Sequence, residues 1–188
     1  MKQLARTAAL ACAVLLAGGH TAAQKLEPAQ SEIAFTVRQM GVPVEGRFTR
    51  FDGQIVFDPK KPETGRITLS IDTGSARFGS PDTDGEVPKP DWLHVAKFPK
   101  ATLESTAIKA VGPGKFEVAG KLGIKGSVRE VQVPVTLARS GAATVATGTF
   151  TVKRLDFRIG EGEWSDTSLV ANDVQVRFKF ALSGMAAP

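Results

Sequence analysis

Few side chains in this sequence are of a type and spacing that could do chemistry. Glu161, Glu163 and Asp166 fall within six positions of one another, and paired carboxylates of this kind can serve as acid and base in glycoside hydrolysis. Three acids in a glycine-punctuated stretch are more often a solvated turn. Asp82-Thr83-Asp84-Gly85-Glu86 places carboxylates at alternate positions beside a glycine, but it lacks the ligand series and terminal bidentate glutamate of a calcium loop. It reads as a polar surface loop. His20 and His94 are the two histidines and Cys12 is the one cysteine. His20 and Cys12 both lie in the first 23 residues, so His94 alone remains for nucleophilic or metal chemistry. A Ser-His-Asp or Cys-His arrangement needs more, and so does a zinc site. A c-type haem would need Cys-x-x-Cys-His, which is absent. The expectation is a protein without a catalytic set, a metal or a cofactor.

The first 23 residues have the layout of a secretory signal peptide. Lys2 and Arg6 form a short basic region, an apolar run extends from Ala8 to Ala17, and small residues end at Ala22-Ala23. The run is too short to span a bilayer comfortably. Cleavage before Gln24 leaves one domain, residues 24–188, of about 165 residues, and places it in the periplasm or outside the cell. The signal carries two cations and no acid, so the excess falls from +5 to +3. Lys and Arg alternate with apolar residues and form no dense run, which argues against a nucleic-acid partner.

Period-two alternation dominates the remaining chain. Ile33, Phe35 and Val37 share one face; Ile67, Leu69 and Ile71 share another. Weaker or longer examples follow at Ala101–Ser105, Phe116–Leu122, Val131–Leu137, Phe150–Val152 and Val174–Leu182. Asp52-Gly53 is a hairpin signal between VEGRFTRF and GQIVFD. The one helical candidate is PKPDWLHVAKFP, residues 88–99, where Trp92, Val95 and Ala96 fall at helical spacing. It would lie across one end of a sheet. Eight or nine antiparallel strands with one apolar face each must stack as two sheets or close into a barrel. The lack of a disulfide and its paired tryptophan favours the barrel over an immunoglobulin-like sandwich. The interior of such a barrel is either filled by side chains or holds one small ligand, and the pattern alone leaves both open.

The inward set is Phe35, Val37, Phe48, Ile55, Phe57, Ile67, Leu69, Leu103, Phe116, Val118, Val133, Val135, Phe150, Val152, Val176 and Phe178. At the barrel end, Trp92, His94, Arg154 and Trp164 are candidates for the rim or for contact with a head group. Arg154 follows Phe150 and Val152 on the same strand face. It either forms a rim ion pair with Asp156 or meets a phosphate-like group, whose geometry guanidinium matches. Trp164 can cover the interior with its ring.

Four segments, taken in order, resemble the YceI-like family. They are SEIAFTVRQMGVPVEGRFTRFDGQIVFDP, DWLHVAKFPKATLES, GKLGIKGSVREVQVPVTL and KRLDFRIGEGEWSDTSLVANDVQVRF, and with the closing strand the resemblance extends from Ser31 to about Leu182. The resemblance implies an all-β fold, a lipocalin-like extended antiparallel β-barrel of about eight strands with one short helix. It implies a periplasmic, non-enzymatic protein that holds a long-chain isoprenoid or other amphiphilic lipid, such as a quinone or polyprenyl phosphate, for transport or storage. Homodimers occur in the family. The GEGEWSDTSLV stretch looks like a branch associated with membrane b-type cytochromes, so an accessory module for such a cytochrome is the alternative. The sequence departs from the family pattern at Leu93 and His94, where an aromatic and an aspartate are common, and at Leu103, where phenylalanine is common.

Overall fold

The computed structural model of the chain describes residues 23–141 and 143–185. Residues 1–22 of the expected signal peptide lie outside the described residues. Eleven strands make one antiparallel sheet: β1 (Gln24–Leu26), β2 (Glu32–Gln39), β3 (Val42–Phe48), β4 (Phe51–Val56), β5 (Arg66–Asp72), β6 (Ala76–Arg77), β7 (Lys100–Gly112), β8 (Lys115–Ile124), β9 (Ser127–Ser140), β10 (Ala143–Lys153) and β11 (Val170–Ser183). The helix α1 spans Pro81–Glu86.

Eight of these strands close on themselves in the order β1-β4-β5-β7-β8-β9-β10-β11, with β11 returning to β1. The closure is short. β1 sets Gln24 opposite Ile55 on one side and Leu26 opposite Leu182 on the other. The Gln24 side-chain oxygen also accepts from the Phe57 N–H at 2.7 Å. Closing the ring removes the free edges that β1 and β4 would otherwise present. β2 runs along the remaining length of β11, Val174 opposite Val37 and Phe178 opposite Ile33, and extends the wall through β3 to the two-residue β6.

Alternation makes these strands. On β8, Phe116, Val118 and Leu122 are buried while Lys115 and Lys121 are exposed. On β11 the same period buries Phe178 and Phe180. Each apolar face read from the sequence lies on a strand and turns into the barrel.

The hairpin expected at Asp52-Gly53 is not there. β3 and β4 do not pair; β3 lies between β2 and β6, and β4 between β1 and β5. Gly53 sits inside β4, where a Cβ would lie 2.5 Å from Leu69 Cδ2. This glycine makes room for packing and not for a turn. The tight hairpin is one turn earlier, where Gln39 pairs with Val42 across Met40-Gly41, both at positive φ (48° and 81°).

The helix is also displaced. Residues 88–99 form a chain of turns, bracketed by Pro88, Pro90 and Pro99 and tied by bonds such as Leu93 N–H to Val87 O and Phe98 N–H to His94 O. The helix lies in the segment read as an acidic surface loop. Pro81 begins it, and Asp82 and Asp84 occupy its first turn, where they face the positive end of the short dipole.

One seam interrupts the wall. β9 and β10 pair only from Ala143–Ser140 to Thr147–Thr136. Beyond that point β9 continues on β8, and β10 on β11, without bonding each other. Pro134, which has no N–H to give, stands where the β9–β10 ladder stops. Exposed Arg129, Glu130 and Lys153 flank the parted edges.

Candidate functional site: the barrel cavity

The inner faces enclose a cavity of about 590 Å³. All sixteen residues of the expected inward set line it. They come from β2 (Phe35, Val37), β3 (Phe48), β4 (Ile55) and the following Phe57, β5 (Ile67, Leu69), β7 (Leu103), β8 (Phe116, Val118), β9 (Val133, Val135), β10 (Phe150, Val152) and β11 (Val176, Phe178). Ile108, Leu137, Phe180 and Met185 line it as well. Of these, Leu137 and Phe180 are legible, since they continue the alternations of Val133 with Val135 and of Val176 with Phe178. Ring contacts order the wall: Phe57 meets Phe116 edge-on at 5.0 Å, and Phe35 sits 5.2 Å from both Phe48 and Phe78.

The exposed lining residues are Gln39, beside the β2–β3 turn, and Asp82 on α1. The cavity therefore opens to solvent between that hairpin and α1. Thr83, Glu86, Trp92, Arg154 and Trp164 line the cavity too, and Glu86 is ion-paired with Lys89.

Arg154 departs from the expectation in two ways. β10 ends at Lys153, and Arg154 begins a single 3₁₀ turn, Arg154–Phe157. Its partner is not Asp156, which is exposed. Arg154 is only 2% exposed, and its guanidinium donates to four carbonyls: Ala171 (3.0 Å), Ile159 (2.8 Å), Gly160 (3.2 Å) and Val170 (2.6 Å). Burial lowers its pKa from the ordinary guanidinium value. The side chain gathers both limbs of the segment between β10 and β11. It thereby positions Trp164, carried on the 3₁₀ turn Gly162–Ser165.

A second tie holds the same segment from outside. Lys125, in the β8–β9 turn at φ 48°, is 3% exposed, and its ammonium donates to Arg158 O (2.6 Å) and the Glu161 carboxylate (2.7 Å). The bond from Lys125 is the main cause of a Glu161 pKa below the usual carboxylate value; the nearby charges of Lys125, Arg158 and His94 act in the same direction. Asp166 accepts from the Ser168 hydroxyl (2.7 Å) and N–H (2.8 Å), which lowers its pKa too. Glu161, Glu163 and Asp166 thus do not converge: one is tied to Lys125, one is exposed, and one organises its own turn. Among the described residues no group of three His, Cys, Asp or Glu could hold a metal ion.

Trp92 and Trp164 stack at a tilt, with centroids 5.5 Å apart and planes at 44°. They meet because the N–H groups of Gly160 and Glu161 both donate to Asp91 O, at 2.7 and 2.9 Å. His94 does not line the cavity. It adopts φ 49° and packs edge-on against Phe98, 5.7 Å away.

A family model described as a YceI-like domain matches residues 24–182. A UPF0312 protein of Pseudomonas savastanoi pv. phaseolicola is 30% identical over 178 residues, 89% of this chain and 93% of its own. One from Azotobacter vinelandii is 30% identical over 145 residues, 75% and 76%. Among solved structures, Burkholderia cenocepacia BcnA superposes with a TM-score of 0.81 at 39% identity, covering 84% of this chain and 99% of that one. A polyisoprenoid binding domain from Saccharophagus degradans shares the fold, with a TM-score of 0.70 at 19% identity, covering 90% and 100%.

Proposed function

Because the chain belongs to the YceI-like family, we propose that it is a non-enzymatic binding protein that holds a long-chain isoprenoid, such as a quinone or polyprenyl phosphate, in its barrel and carries or stores it in the periplasm. The observation that carries this reading is the cavity itself. About 590 Å³ lies within strands whose inner faces are aliphatic and aromatic from Ile55 and Phe57 to Val174 and Val176. Burial in such a space favours a hydrocarbon tail by about 0.8 kcal/mol per methylene, before the cost of ordering the chain. The opening beside Gln39 and Asp82 suits an amphiphile, with the tail inside and the polar end at the opening. The polyisoprenoid-binding description of the Saccharophagus degradans domain of the same fold supports the ligand class.

The test is mass spectrometry of an organic extract of the protein purified from a bacterial periplasm, beside native mass spectrometry of the same sample. A stoichiometric isoprenoid is the expected result. An empty protein that also takes up no isoprenoid offered to it would overturn the proposal.

A further inference from the structure

Five large apolar side chains are exposed among the described residues, and three of them gather at the opening beside Gln39. Met40 is 70% exposed, Val42 62% and Leu169 38%. The other two, Val111 and Val128, lie on β7 and β9. The backbone makes the three neighbours. Met40 N–H donates to Leu169 O at 2.8 Å, and Gln39 pairs with Val42 on one side and Val170 on the other. Gln39 and Val170 both line the cavity. Val42 lies on the inner face of β3, two residues before the lining Val44. The apolar inner wall thus runs on past the rim and into solvent.

Local turn chemistry does not ask for this. Met40 holds φ 48° at the first central position of a two-residue hairpin turn, before Gly41 at φ 81°. Asparagine or aspartate favours that position, and an exposed methionine there gains nothing from the fold. The patch is too small for a stable protein partner, which takes roughly 20–30 residues a side. A shallow apolar tip needs no matching surface to enter a bilayer. Its flank is cationic. Exposed Arg38 donates to the Gly41 carbonyl at 2.9 Å and has no carboxylate partner among the described residues. That suits the phosphates of a lipid surface. Across the opening, Glu86 is paired with Lys89 and Asp84 accepts from the Phe78 N–H, so Asp82 is the acid left to oppose it.

We infer that the β2–β3 turn and Leu169 form a membrane-docking lip, which enters the head-group layer of a phospholipid bilayer and sets the cavity opening against it. The inference rests on the reading of the cavity as a lipid site and adds the surface from which an insoluble ligand passes into it. Met40 and Val42 supply the apolar contact, and Arg38 lies at the level of the lipid phosphates. A tail leaving the bilayer then moves along Val42 and Val44 into the barrel without crossing water.

The experiment measures sedimentation of the protein, purified from a bacterial periplasm, with vesicles of phosphatidylcholine and phosphatidylglycerol. Wild-type protein is compared with a double variant, Met40→Asn with Val42→Thr. Asparagine before Gly41 favours the turn and threonine keeps the branched shape, so the fold is retained. The double variant should bind the vesicles about tenfold more weakly. Val111→Thr, at an exposed valine on β7, should bind like the wild type. A second readout is the release of a fluorescent naphthylamine probe from the cavity to the same vesicles. Its rate should rise with vesicle concentration for the wild type and be independent of it for the double variant. Equal sedimentation of wild type and double variant, or of neither, would overturn the lip, and so would a wild-type release rate that vesicles do not change. Probe uptake, measured before vesicles are added, reports on the cavity alone. Docking can therefore fail while binding of apolar ligands stands, and a protein that takes up no probe fails the cavity reading separately.

Discussion

Gly160 lies against the Arg154 guanidinium with no room between them: a Cβ on Gly160 would collide with Arg154 Nη1, and the backbone there is at φ +78°. The contact joins two ends of one segment. Arg154 reaches back to the Gly160 carbonyl, and Gly160 has to be bare for the guanidinium to fit. Gly160→Ala should therefore destabilise the protein by about 1–3 kcal/mol from strain at positive φ and the forced shift of Arg154. Arg154→Met should cost about 3 kcal/mol or more, because four carbonyls lose a charged donor. Urea denaturation of each variant measures both.

Filling the chamber separates a hollow barrel from a packed one. Val133 lines the cavity from β9 at 3% exposure. In a close-packed core Val133→Phe would cost about 1–3 kcal/mol from overpacking. Here the added ring has space, so the expected change in stability is below that range. Binding of a fluorescent naphthylamine probe in the cavity should weaken at the same time. Thermal unfolding and probe titration on the same variant check the two halves together.

Thr144 is fully buried, and its hydroxyl has no partner. Thr144→Val removes a group that was desolvated without return and keeps the branched shape that suits a strand. The variant should be more stable than the wild type by about 1 kcal/mol, read as an increase in the urea midpoint with an unchanged slope.

The Lys125–Glu161 tie gives the Trp164 segment a pH dependence. The folded pKa of Glu161 is lower than its ordinary value, chiefly through the Lys125 bond. Its contribution is then fully present above the ordinary carboxylate pKa and is lost as the pH falls through the folded one. Tryptophan fluorescence followed from pH 7 downward should show a transition below the usual glutamate range. Glu161→Gln should abolish that transition and resemble the acid form already at neutral pH.

The strands were legible because alternation is local, and what each strand buries is decided within six or eight residues, as Phe116, Val118 and Leu122 show on β8. What bound them into a ring was not. β1 is three residues long and closes the barrel through two short ladders and a bond in which the Phe57 N–H donates to the Gln24 side-chain oxygen, which no periodicity reveals. Asp52-Gly53 has turn chemistry in its sequence, but Leu69 needs the space above Gly53. Trp92, Val95 and Ala96 have helical spacing, but three prolines cut the segment into turns. Arg154 reaches the cavity by a route that strand alternation does not show. Its strand ends one residue earlier, and its partners are carbonyls five to seventeen residues away. The Lys125–Glu161 pair spans thirty-six residues and joins two turns that the sequence treats separately.

The seam beside Pro134 gives the wall one property that a fully laddered barrel lacks. Beyond Thr136 and Thr147 no ladder bond crosses from β9 to β10, so parting those strands would break no cross-strand bond. The other short join in the ring is β1, which meets β4 and β11 over two residue pairs each. The barrel is therefore like a split collar, free to widen along the β9–β10 slit without loss of a ladder bond. A bulky tail and a slim one can then occupy the same vessel.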